Sequence, residues 1–365
     1  MTQLLLLCRS GYEQDLSEEL IHGFALLNIA GYPNFKKGQA WLSFTLVNQP
    51  AQALEQKPVK ALLGSLVFAR QVWQVLGEVS YEDTQDRVTP LLQAFENIEP
   101  NVSLGHDVLV EHADSEQGNE LARFVKKFNV PLRQAMRAKG IIGRRLKSEK
   151  TVKQAHVLFT RSHHCIYGVS INPVSAPNPG GIIRLKFPPN APSRSTLKLE
   201  DAIKHQLTEP ERQAIFTEGA NGVDLGACPG GWTYQLVQRG MHVEAVDNGL
   251  IQEALMNTGM VAHYAHDGFS YQPQYGKVTL LVCDMIEQPD KVASLMAKWL
   301  KLGWTDHAIF NLKLPMKQRF DCVSRCLDLV RTELGKSFFR YRMSARHLYH
   351  DRDEVTVVVV QSDLI

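Results

Sequence analysis

The chain has 365 residues and 44% apolar content, which is long for one packed domain and comfortable for two. Forty Lys and Arg against 38 Asp and Glu leave a net charge of +2, too small to name a partner. Six scattered cysteines form no Cys-x-x-Cys pair, which speaks against a zinc site and fits a reduced cytoplasm. No stretch approaches the roughly eighteen apolar residues of a membrane span, and Leu4–Cys8 is too short and too poorly flanked for a signal peptide.

In chain order, residues 3–8 read as a strand and 12–23 as an amphipathic helix. A strand at 40–47, a helix-like run at 50–63 and a strand at 65–76 follow. A second set comprises a helix at 84–95, a strand at 107–112, a helix at 117–139, and strands at 156–160 and 165–171. This alternation suits small α+β units, without an internal repeat. Between Arg123 and Lys153 stand eleven Lys/Arg and one acid, so the remainder of the chain is acidic by eight. Lys126, Lys127, Arg144, Arg145 and Lys147 in this stretch are candidate phosphate contacts, since solvated faces usually mix both signs. Residues 173–193 carry six prolines and read as a stiff connector, with a short edge strand at 181–187. Boundaries of 1–172, 173–193 and 194–365 follow. The last region alternates helix 195–206, strand 222–224, helix 231–239 and strand 241–246, then strands at 261–263, 278–283, 308–312, 338–342 and 355–360. Helices at 289–302 and 317–334 lie between them. This is the rhythm of a parallel sheet that binds its ligand at the strands' carboxyl ends.

The informative stretch is Asp224-Leu225-Gly226-Ala227-Cys228-Pro229-Gly230-Gly231, a strand end, a glycine turn and a helix start. Its three glycines remove side chains where a ligand approaches the backbone, and the first helical turn offers free N–H groups. Pro229 departs from a dinucleotide fingerprint but suits a helix start. Asp247, ending an apolar run about twenty residues on, is placed to hold a ribose. A nucleoside cofactor is expected here.

As D-L-G-A-x-P-G-G-W, the stretch resembles the S-adenosylmethionine loop of the FtsJ-like ribose 2′-O-methyltransferases, a likeness that covers roughly residues 193–360. It implies that Asp224, Gly226, Cys228, Pro229, Gly230 and Gly231 cradle S-adenosyl-L-methionine. Asp247 would take its ribose hydroxyls and Asp267 its adenine. Ser195 would lie near the methionine end, or simply cap its helix.

Strand 278–283 delivers Asp284 at its carboxyl end, strand 307–312 delivers Lys313, and Glu354 precedes the last strand. Lys198 shares a polar helix face with Asp201 and His205. The order Lys198, Asp284, Lys313, Glu354 matches the family's catalytic tetrad, and Asp284 is also assigned to the cofactor. A ribose hydroxyl is a poor nucleophile, and Lys313 can take its proton only as the neutral amine. Lowering that amine from about 10.4 to about 7.5 requires roughly 4 kcal/mol, expected from the second lysine and from desolvation. Asp284 and Glu354 would orient the two amines.

Asp284-Met285-Ile286-Glu287 lacks the prolines of amino-group methyltransferases, and Cys283 should point away from the site along its strand. The first region resembles a ferredoxin-like lobe followed by a THUMP-type RNA-binding module. The fold class is therefore α/β: a Rossmann-like methyltransferase domain behind an α+β RNA-binding region. Taken whole, the chain resembles the ribosomal RNA large subunit methyltransferase M family. That resemblance implies 2′-O-methylation of one cytidine in 23S rRNA, in the cytoplasm, with no metal and as a monomer. The alternative is a non-catalytic RNA-binding protein that retains cofactor, against which an intact tetrad counts.

Overall fold

The computed structural model describes residues 2–82, 85–98, 103–143 and 152–362, arranged as two compact units that divide between Ile182 and Ile183. Among the described residues, no helix is long and apolar enough to cross a membrane. Arg144, Arg145 and Lys147 lie outside the described residues.

The first unit runs β1 (Thr2–Leu7), α1 (Glu13–Leu26), β2 (Gly31–Asn34), β3 (Trp41–Leu46), α2 (Lys57–Ser65) and β4 (Gln71–Ser80). It continues with α3 (Val88–Glu96), β5 (Leu104–His112), α4 (Glu116–Ala138), β6 (Lys153–Arg161) and β7 (His164–Ser170). The two sets of strands do not stand apart. β4 pairs antiparallel with β7, which joins them into one seven-stranded sheet of order β2-β3-β1-β4-β7-β6-β5.

Several boundaries differ from the sequence reading for identifiable reasons. The strand expected over 65–76 starts only at Gln71, because the buried Glu19 carboxylate accepts the N–H groups of Val67 (2.6 Å) and Phe68 (3.1 Å) and holds that segment as a loop. The run 50–63 breaks into a 3-10 turn at Ala51–Glu55 and then α2, whose first turn contains Pro58. β2 escapes detection because Gly31 and Pro33 are poor strand formers, tolerated at a sheet edge. α3 begins late, after Asp86 Oδ1 accepts the Val88 and Thr89 N–H groups.

The expected edge strand at 181–187 is instead irregular chain leaving a 3-10 turn. The proline-rich stretch is docked through its first half. Gln71 Nε2 donates to the carbonyls of Ala176 and Asn178, and Glu111 Oε1 accepts the Gly180 N–H at 2.6 Å. Gly181 has φ +66°, and an added Cβ would lie 1.8 Å from the Arg70 carbonyl oxygen.

The second unit contains α5 (Thr196–Gln206), α6 (Glu209–Ile215), β8 (Asn221–Leu225), α7 (Gly231–Val237), β9 (His242–Val246), α8 (Glu253–Met256) and β10 (Val261–Tyr264). β11 (Val278–Cys283), α9 (Pro289–Lys301), β12 (Thr305–Lys313), α10 (Arg319–Leu334), β13 (Tyr341–Arg346) and β14 (Glu354–Gln361) complete it. The strand expected from 338 starts at Tyr341, behind a 3-10 turn at Gly335–Arg340. Sheet order is β10-β9-β8-β11-β12-β14-β13, parallel up to β12, with β14 antiparallel between β12 and β13. Leu280, Leu281, Val282 and Cys283 of β11 are all fully buried, the mark of a central strand covered on both faces. One core gathers Leu199 and Ile203 of α5, Trp232 and Leu236 of α7, alternate residues of β9, β11 and β14, and Ile309 of β12. Because β8, β11 and β12 run parallel, their carboxyl ends open side by side, while β14 begins beside the end of β12.

Gly181→Ala should destabilise the protein by about 2–3 kcal/mol, through a clash with backbone and a left-handed φ. Urea denaturation should show a lower midpoint with an unchanged slope. An unchanged midpoint would mean that this close approach does not matter.

Candidate active site

Four side chains from four elements interlock at the carboxyl edge of the second sheet. Asp284 follows β11, Lys313 ends β12, Glu354 opens β14, and Lys198 reaches in from the first turn of α5. Lys198 Nζ lies 3.1 Å from Asp284 Oδ2 and 2.5 Å from Glu354 Oε1. Lys313 Nζ lies 2.5 Å from Asp284 Oδ1 and also pairs with Glu354 Oε2. Each carboxylate is therefore shared by both amines. The register makes this local: Lys313 and Glu354 are direct partners across the β12–β14 ladder.

The electrostatics reverse one expectation. Burial pushes the Lys313 amine down, but Asp284 and Glu354 outweigh it, and the net shift is upward from 10.5. The expected depression is absent because both carboxylates touch the ammonium, whereas Lys198 acts on it only across them. Asp284 responds in the opposite sense. Burial raises its carboxyl, yet Lys313 and Lys198 bring it below 3.8 overall. Asp201, one helical turn from Lys198, is fully buried: its Oδ1 lies 3.4 Å from His205 Nε2 and its Oδ2 accepts the His350 N–H at 3.2 Å.

The glycine loop lies beside this quartet, since β8 and β11 are neighbours. Its glycines are also required by packing within the protein. A Cβ at Gly226 would lie 2.6 Å from Met285 Cγ, one at Gly230 2.5 Å from Leu255 Cδ1, and one at Gly231 2.1 Å from Ser195 Oγ. The space is taken by protein, so these glycines let neighbouring segments close on the loop. Several loop N–H groups are likewise engaged internally, including those of Gly226 and Ala227 with the Val246 carbonyl. The cis peptide before Pro229 and the left-handed Gly230 turn the chain into α7, a helix of only seven residues.

Asp247 follows β9 and ties the loop to it: Oδ2 accepts the Cys228 N–H at 3.0 Å and Oδ1 the Gly249 N–H at 2.7 Å. Asp224, at the end of β8, is 1% exposed. Thr233 Oγ1 donates to its Oδ2 at 2.7 Å, while Oδ1 is buried and unpartnered among the described residues. Burial, aided by the nearby Asp284 and Asp247 carboxylates, raises its carboxyl to about 7. An orphaned buried acceptor amid three acids suits a cationic ligand, and S-adenosylmethionine carries both a sulfonium and an ammonium.

Ser195 does not cap α5. Its backbone is already helical, and its hydroxyl meets Ser193 Oγ at 2.6 Å, against Gly231. Asp267 is exposed, and its Oδ1 accepts the Phe269 N–H of its own turn, away from the tetrad's contacts. Cys283 is fully buried and its thiol is pushed up to about 12, which removes it as a nucleophile. Lys126 and Lys127 are exposed on α4 of the other unit.

Two polar residues missed in the sequence support the quartet. Asn311 Nδ2 donates to Asp284 Oδ1 at 2.9 Å, and Thr356 Oγ1 donates to Asn311 Oδ1 at 2.8 Å. The available signal was a lone asparagine in an apolar strand, two residues before Lys313 and hence on its face.

Lys313 in the free protein should label with an amine reagent only with a midpoint above 10.5. A lysine whose folded value is raised keeps that stabilisation below its ordinary pKa and loses it as pH climbs through the folded value. Glu354→Gln removes one of the two carboxylates and should move the midpoint to lower pH, read by peptide mass spectrometry. An unmoved midpoint would contradict the pairing.

Comparison with known proteins gives a consistent picture. The sequence profile of the RlmM ferredoxin-like domain matches residues 1–73, and that of ribosomal RNA large subunit methyltransferase M, N-terminal, matches 86–171. The FtsJ-like methyltransferase profile matches residues 191–325. Ribosomal RNA large subunit methyltransferase M from Alteromonas mediterranea is 44% identical over 361 residues, 99% of this chain and 98% of its own. The Aliivibrio salmonicida protein of that name is 42% identical (98% and 97% covered), and the Histophilus somni one 41% (98% and 99%). The fold is accordingly α/β, with an N-terminal ferredoxin-like domain and a C-terminal Rossmann-like methyltransferase domain.

Proposed function

The chain belongs to the ribosomal RNA large subunit methyltransferase M family, and from that premise we propose that it methylates the ribose 2′-oxygen of a cytidine in 23S rRNA, with Lys313 as the base. It is an S-adenosylmethionine-dependent methyltransferase. The observation that carries the proposal is the interlocked quartet of Lys198, Asp284, Lys313 and Glu354 at the strand ends beside the glycine loop. When bound, S-adenosylmethionine supplies an electrophilic methyl group on a sulfonium.

The chain's own residues supply the rest. Asp224, Asp247 and the loop from Gly226 to Gly231, with Ser195 and Asp267, would hold the cofactor. Lys313 takes the hydroxyl proton, while Asp284 and Glu354 fix the amine in place and Lys198 balances their charge. In the free protein Lys313 is an ammonium, so the base is a minor species. Additional positive charge beside the quartet favours the neutral amine, which couples a loaded site to a competent base. Positioning of the hydroxyl would supply a large share of the rate. Lys126 and Lys127, with Arg144, Arg145 and Lys147, would grip the RNA backbone. The reaction takes place in the cytoplasm.

Lys313→Met keeps much of the side-chain volume and removes the amine. Methylation should fall by a factor on the order of 10² or more, while cofactor and RNA affinities persist. Lys313→Arg should not rescue it, because a guanidinium stays charged. Single-turnover assays on rRNA decide the matter, and a fully active Lys313→Met would overturn the assignment.

A further inference from the structure

The register that sets Lys313 opposite Glu354 also sets Asn311 opposite Thr356. Both inner residues are polar and fully buried, and the two-residue strand period puts them on the side of the tetrad. Asn311 Nδ2 reaches Asp284 Oδ1 at 2.9 Å, the same oxygen that Lys313 holds at 2.5 Å. Behind Asn311, Thr356 Oγ1 lies 2.8 Å from Asn311 Oδ1 and 3.0 Å from Asp351 Oδ2. Asp351 is itself fully buried and accepts the Leu348 N–H at 3.0 Å.

The direction of each proton in this row follows from its last member. Asp284, as a carboxylate, can only accept, so Asn311 turns its NH₂ towards it. Asn311 Oδ1 then faces Thr356 and can only accept. A hydroxyl has one proton, and it goes there. The contact between Thr356 and Asp351 is therefore completed by a proton on Asp351. Burial, with Glu354 and Asp201 nearby, raises the Asp351 carboxyl to about 8, so it keeps that proton at neutral pH.

We propose that Asn311 is a positioning residue for the reaction: turned by the Asp284 carboxylate and braced from behind by Thr356 and Asp351, it shares Asp284 Oδ1 with Lys313 and loosens the carboxylate's hold on the lysine proton. The inference rests on the reading of Lys313 as the base. The charged groups facing Lys313 are Asp284 and Glu354, with Lys198 across them. Loss of the Asn311 donor leaves more of the Asp284 charge to the ammonium and makes its proton harder to remove.

The test uses the full chain and three variants, Thr356→Val, Thr356→Ser and Asn311→Leu. The pH dependence of Lys313 labelling by a small amine reagent is read by peptide mass spectrometry, without cofactor or RNA. Single-turnover methylation of rRNA near neutral pH is measured in parallel. Thr356→Val and Asn311→Leu should move the labelling midpoint to higher pH and slow methylation about tenfold, the equivalent of one pKa unit. Cofactor affinity should hold, and Thr356→Ser should restore both readings. Thr356→Val matches the native residue in shape, so it carries the test alone if Asn311→Leu does not fold. A labelling curve in folded Thr356→Val that coincides with the wild type overturns the proposal. A shifted curve with unchanged methylation supports the positioning and overturns instead the role of Lys313 as base.

Discussion

Two carboxylates shared by two amines form the constraint on which the second unit depends. Asp284 and Glu354 each touch both Lys198 and Lys313, so the four charges sum to zero in a partly closed site. Removing one partner of a buried pair typically costs about 3–5 kcal/mol, because a charge is left uncompensated. The quartet therefore ties the register of β12 against β14 to the approach of α5. Its supports run inward through Asn311 and Thr356, both fully buried.

The same arrangement sets a tension between resting state and reaction. A lysine held by two carboxylates keeps its proton, and the Lys313 amine is raised. Base chemistry needs that proton gone. On the proposed reading of Lys313 as the base, position is secured first and the protonation state is left to the charge that arrives with the ligands. One buried acid carries a similar tension: burial and the nearby Asp284 and Asp247 carboxylates raise the Asp224 carboxyl to about 7, and its Oδ1 has no partner among the described residues.

What could be read from the sequence, and what could not, divides along physical lines. The ends of β8, β11 and β12 were legible because a buried parallel strand is a short apolar run, and the residue after it emerges at the ligand edge. Glu354 was legible as the acid at the start of Val355–Val360. The glycine loop was recognisable, but the packing that requires its glycines was not, since only the fold brings Met285, Leu255 and Ser195 onto them. The loop at 66–70 was hidden because its cause is Glu19, nearly fifty residues away. The sign of the Lys313 shift was out of reach for a similar reason. Lys198 promises repulsion in sequence, while the geometry gives both carboxylates direct contact and Lys198 none.

The central claim is that this quartet directs a methyl group to a ribose oxygen rather than to a base. The most direct measurement is to treat 23S rRNA that lacks the modification with the purified protein and isotopically labelled S-adenosylmethionine. The RNA is then digested to nucleosides, and the labelled one is identified by mass spectrometry. The account predicts a single 2′-O-methylcytidine, whose labelled methyl stays with the sugar on fragmentation and blocks alkaline cleavage at that position. Label on the base, with cleavage intact, would contradict it.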